Sequence, residues 1–98
     1  MKEAAVRDGV HAIQAAVFLA AGGFDKTSAD MFPAPGLVTQ AELERYIGAW
    51  PDNPYTGKPM QPGKVAGDYA YTLGDGGKSY RLVGYGQDGK VLITVEGR

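Results

Sequence analysis

The chain has no cysteine. That excludes disulfide staples, thiolate metal sites and cysteine nucleophiles, and it fits an oxidising or a reducing compartment equally well. Histidine occurs once, as His11, and serine twice, as Ser28 and Ser79. Neither serine lies in a G-x-S-x-G elbow, and without a cysteine or a second histidine most acyl-transfer arrangements cannot be assembled. An excess of one charge is also missing, since ten basic and eleven acidic residues are interspersed for a formal net charge of −1. Nucleic-acid binders usually carry a basic patch or stripe, so no nucleic acid is expected as a partner. Long apolar runs are absent too: the longest, Ala15–Ala21, falls far short of the roughly 20 residues a membrane span needs. It has the look of a secretory signal behind Lys2 and Arg7, but Glu3 and Asp8 cancel those charges and Gln14 interrupts the stretch upstream.

Glycine is abundant instead, with 15 residues beside six prolines, most of them after Gly22. Many turns are therefore expected in the second part of the chain. Ninety-eight residues make a single domain with a modest core, burying about 60–65% of the unfolded surface.

Residues 1–23 read as a helical segment. Val6, Val10, Ile13 and Val17 recur at spacings of four, three and four, with Ala20 continuing the stripe. Lys2, Arg7, Asp8, His11 and Gln14 occupy much of the remaining surface, and Gly22-Gly23 closes the helix at about residue 21. Nothing before Lys2 resembles an N-cap, which is the pattern of a piece cut from a longer helix. Residues 24–66 read as loop with a short helix over 40–49 inside it. In 24–38, Pro33, Pro35 and Gly36 argue against regular structure. Thr39 and Glu42 then form a T-x-x-E capping box, with Val38 and Leu43 at the staple positions. The helix carries Leu43, Tyr46, Ile47 and Trp50 on one side and is expected to stop at Pro51. Residues 50–63, with four prolines, predict a turn-rich loop.

From Gly67 to residue 98 the period becomes two. Tyr69, Tyr71 and Leu73 face one way, and 74–77 (GDGG) makes a turn. Tyr80 and Leu82 oppose Arg81, Val83 and Tyr85, 86–89 (GQDG) turns again, and KVLITVE presents Val91, Ile93 and Val95. Three short runs joined by glycine-rich turns predict an antiparallel three-stranded meander. The fold class is α+β, one long N-terminal helix packed on a small antiparallel sheet.

GYGQDG, residues 84–89, matches the dinucleotide template G-x-G-x-x-G. That fingerprint works between a strand and a helix whose amide-rich N-terminus meets a pyrophosphate. Here it links two strands, and no acidic residue follows about 20 positions on, so no nucleotide cofactor is expected. The glycines are expected to supply positive φ in a hairpin turn.

Few residues remain for chemistry. His11 has only Arg7, Asp8 and Gln14 within one turn and reads as a solvated surface residue. Asp52, Asp68, Asp75 and Asp88 all lie in or beside turns. They are either turn formers or ligands of a calcium ion, although no EF-hand spacing is present. Tyr69, Tyr71, Tyr80 and Tyr85 either pack across strands or form a stacking platform, and with only Lys78 and Arg81 nearby packing is favoured. No catalytic residue, metal ligand or cofactor is assigned.

The order of parts resembles a known family. The helix with its alanine-rich stripe, YIGAWPDNPYTGKPM at 46–60 and GDYAYTLGDGGKSYRLVGYGQDGK at 67–90 are similar to the soluble domain of type IV pilin-like proteins. The closest branch is the major pseudopilins of type II secretion. The resemblance implies a structural subunit, not an enzyme, whose apolar first helical half anchors it in the inner membrane before assembly. That half then packs in the core of an extracytoplasmic filament, periplasmic or at the cell surface. It implies other copies of the chain, related pilin subunits and the inner-membrane assembly machinery as partners, with membrane contact only through a segment ahead of Lys2. Major pseudopilins also hold calcium in an acidic loop near the C-terminus, of which only Asp88-Gly89 is matched. Two other readings stay open: a minor pilin or adhesive module gripping a glycan or surface protein through its sheet and loops, and a small enzyme built on the four aspartates.

Overall fold

Helix α1 spans Lys2–Ala20 in a computed structural model that describes residues 2–23 and 31–97. Residues 24–30 of the expected loop, with Met1 and Arg98, lie outside the described residues. The expected stripe is buried: Val6, Val10, Ile13 and Val17 have no exposed surface, and Gly9 and Ala16 join them. Each such side chain withdrawn from water contributes about 1.5–3 kcal/mol before entropy is counted.

The sheet that receives this face has strands β1 (Tyr69–Gly74), β2 (Ser79–Tyr85) and β3 (Val91–Gly97), antiparallel in the order β1-β2-β3. The fold is α+β, with α1 packed on a three-stranded meander and a short helix between them in sequence. The first glycine of GYGQDG has a different purpose from the one expected. Gly84 lies under α1, where a Cβ would come within 2.5 Å of Val10 Cγ2 and 3.2 Å of Val6 Cγ1. Close helix–sheet approach, not positive φ, requires glycine there. Of the three template glycines, Gly89 alone has a left-handed φ (71°).

Alternation places Tyr69, Tyr71, Tyr80 and Leu82 in the core as expected. Tyr85 was expected to share the outer face with Arg81 and Val83, yet it is buried, because the β2–β3 register shifts between Gly84 and Tyr85. That irregularity changes the phase of side chains at the strand end. Val91 is likewise not presented to the core but 61% exposed, whereas Leu92, Ile93 and Val95 pack partly against it.

Between helix and sheet, Pro35–Leu37 forms one 3-10 turn where no regular structure was expected, with proline at its start, where a missing N–H costs nothing. Helix α2 follows at Gln40–Ile47. Thr39 is its N-cap residue but makes no side-chain cap bond, so the capping box is not formed. Its carbonyl takes the Leu43 N–H at 2.9 Å, and Val38 and Leu43 are both buried. The helix stops before Pro51: Gly48 turns left-handed (φ 78°) and donates its N–H to Glu44 O at 2.9 Å. Trp50 thus lies beyond the helix.

Candidate functional site

Past α2 the chain carries little apolar periodicity and is held by side-chain hydrogen bonds. Trp50 is buried and its Nε1 donates to Met60 O at 2.8 Å. Between them the chain doubles back, with Asp52 bridged to Pro59 and the Asn53 N–H donating to Lys58 O at 2.7 Å. Asn53, the only asparagine in the chain, is 2% exposed at the base of this turn. Its Oδ1 accepts the Tyr55 N–H at 2.8 Å, and its Nδ2 donates to Ala66 O at 2.8 Å and Asp68 Oδ1 at 3.0 Å. Asp68, 6% exposed, accepts the Gln61 N–H at 3.2 Å on the same oxygen. Gly67 admits the amide, since a Cβ there would sit 2.0 Å from Asn53 Oδ1.

This polar knot fastens the 52–59 turn to the approach to β1, and α1 rests on it. A Cβ on Gly9 would meet Met60 Sδ at 2.5 Å and Pro51 Cβ at 3.2 Å, and the Lys2 ammonium lies 5.4 Å from the centre of the Tyr55 ring. The four prolines of 50–63 predict a turn-rich loop but not the knot. A lone asparagine before a proline was the available signal, but its partners lie 13 and 15 residues away.

The tyrosines form no platform. Tyr71 stacks on Tyr80 at 5.9 Å, Phe32 meets Tyr80 edge-on at 4.7 Å, and Trp50 tilts on Tyr69 at 6.3 Å, all inside the core. The hydroxyl of Tyr69 donates to Val38 O and that of Tyr71 to Pro33 O at 2.8 Å, strapping residues 33–38 onto β1. Burial pushes both phenols far above the usual tyrosine range, reinforced by the Asp68 charge beside Tyr69 and by Tyr80 beside Tyr71. They therefore stay protonated donors at any physiological pH.

The four aspartates do not converge. Asp68 belongs to the knot, Asp52 to the bridge with Pro59, Asp75 to the β1–β2 turn and Asp88 to the β2–β3 turn. Among the described residues no three acidic or histidine side chains are grouped to hold a metal ion. Asp88 therefore belongs to no such group. His11 is exposed on α1 as expected. It lies on an outer stripe of Ala4, Asp8, His11, Ala15 and Leu19, all exposed and opposite the buried face, while Arg7 is exposed beside it and Gln14 half-buried. No helix among the described residues is long and apolar enough to cross a membrane.

No protein-family model, curated protein or solved structure matches this chain.

Proposed function

We propose that this chain is the globular head of a type IV pilin-like subunit, a structural and non-enzymatic component of an extracytoplasmic filament such as a type II secretion pseudopilus or a thin pilus. The observation that carries this reading is the two-sided character of α1. One side, Val6 to Val17, is spent on the sheet, while Ala4, Asp8, His11, Ala15 and Leu19 present a second, continuous stripe outward. That stripe sets the small Ala4 and Ala15 and the apolar Leu19 among Asp8 and His11, a mixture that suits close neighbours. In the pilin-like arrangement the helix continues toward the N-terminus as an apolar half that first anchors the subunit in the inner membrane. The partners are then further copies, related subunits and the assembly machinery. An adhesive minor subunit would have to bind through its loops, because Tyr69, Tyr71, Tyr80 and Tyr85 on the sheet are buried.

The absence of native cysteine gives a clean test. Two-cysteine variants that combine positions among Ala4, His11 and Ala15 in the complete gene product, expressed with its assembly genes, should yield disulfide-linked ladders in filaments sheared from the cells. The complete reading frame should also encode about 20 apolar residues ahead of Lys2. A product that is never recovered in a sheared fraction, and whose reading frame lacks that apolar stretch, would refute the proposal.

A further inference from the structure

The β1–β2 hairpin tip reads Gly74-Asp75-Gly76-Gly77. Asp75 is the one non-glycine residue with positive φ (50°) among the described residues, and it is exposed. Gly76 follows at φ 66° with nothing within 4 Å of where a Cβ would stand. The Lys78 N–H closes this turn on Asp75 O at 3.3 Å, and Gly76 itself is exposed. The chain holds a second Asp-Gly pair, Asp88-Gly89, in the β2–β3 turn. There the nitrogen is engaged: the Gly89 N–H donates to Gly86 O at 2.9 Å, and the Gly86 N–H to Lys90 O at 2.8 Å clamps the turn across its ends.

We infer that Asp75 is a site of spontaneous backbone modification, converting to isoaspartate through a cyclic imide, and that Asp88 is shielded from the same reaction by its turn. The Gly76 nitrogen attacks Asp75 Cγ. The N–Cγ bond forms, a Cγ–O bond breaks, and the departing hydroxyl leaves with the amide proton as water. Water then adds to one of the two ring carbonyls. Opening at Cγ restores aspartate, while opening at the backbone carbon leaves the main chain running through the side-chain carboxyl with the α-carboxylate free. Water is released and regained, nothing is oxidised, and no co-reactant is required. Glycine at the following position matters because no side chain hinders the attacking nitrogen, and the bond made by the Gly89 N–H matters because the attacking nitrogen must lose its proton.

The change has a structural reader. An extra backbone methylene between Asp75 and Gly76 would lie next to Gly77, whose carbonyl accepts the Phe32 N–H at 2.8 Å and against which Met31 packs. Isomerisation at the tip therefore loosens the tie that begins the strap over β1.

The test ages the folded chain at neutral pH and physiological temperature and digests it with trypsin. Cleavage after Lys64, Lys78, Arg81 and Lys90 leaves Asp75 in peptide 65–78 and Asp88 in peptide 82–90. Isoaspartyl forms are separated by retention time and assigned by electron-transfer fragmentation. Peptide 65–78 should gain isoaspartate at least about ten-fold faster than peptide 82–90, equivalent to about 1.4 kcal/mol of barrier. In denaturant the two rates should converge, because both sites are then plain Asp-Gly. Asp75→Glu, which can close only a six-membered imide, should silence peptide 65–78. Equal rates in the folded chain, failure to converge in denaturant, or isoaspartate persisting at Asp68 in the Asp75→Glu variant would each overturn the inference.

Discussion

The two halves of this molecule are held together by different physics. Between α1 and the sheet, cohesion is apolar and periodic, with four residues of one helix face, three core tyrosines and Leu82 withdrawn from water around the opening left by Gly84. Between α2 and β1, over 50–68, cohesion comes from individually placed polar groups: the Trp50 indole on Met60, and the Asn53 amide on Tyr55, Ala66 and Asp68. The first half tolerates change that keeps volume and polarity, because burial is non-directional. In the second half one wrong atom leaves several buried groups unpaired.

Substitutions ordered by expected effect break that comparison open. Val10→Asp places an unpaired charge in the centre of the apolar half and should unfold the domain, a loss of several kcal/mol visible as a collapsed circular-dichroism melt. Retention of the native melt would mean that the stripe is not buried. Asn53→Ala strands the Tyr55 N–H and Ala66 O and removes one donor from Asp68, so a loss of about 3 kcal/mol is expected in urea titration. In that variant hydrogen exchange should rise over 52–68 well before it rises in α1. A uniform rise would show that the two halves are one cooperative unit. Tyr71→Phe removes only the bond to Pro33 O and should cost about 1 kcal/mol, with the loss confined to the 33–38 strap in exchange data. Arg81→Ala breaks an ion pair whose side chains are 61% and 60% exposed, and the unfolding free energy from urea titration should stay within about 0.5 kcal/mol of the parent.

The same division governs what could be read from the amino-acid order. The α1 stripe and the meander follow periods of 3.6 and two, which are local and survive folding, so both were legible down to Val6, Val10, Ile13 and Val17. Misreadings arose where one residue breaks a local pattern. Gly48 ends α2 three residues before the proline that looked like the stop, and the register shift at Gly84/Tyr85 turns Tyr85 inward. Thr39 has the composition of a capping box, but its side chain bonds no helix amide. The Asn53–Asp68 knot was not legible, because a contact across 15 residues between irregular segments leaves no periodic trace. Gly84 is instructive in a different way: the letters fit a nucleotide template, topology excluded it, and the reason for the glycine emerged only once α1 lay above it.

The central claim, that α1 is seated on the sheet at Gly84, is tested most directly by a double-mutant cycle joining Val10→Ala and Gly84→Ala. A methyl at position 84 would lie 2.5 Å from Val10 Cγ2 and 2.9 Å from Ile93 Cγ2, so Gly84→Ala alone should destabilise by about 2 kcal/mol. Shortening Val10 removes the nearer obstacle, and the double variant should be more stable than the sum of the single losses requires, by about 1 kcal/mol. Additivity within about 0.3 kcal/mol would place the helix elsewhere and contradict the account.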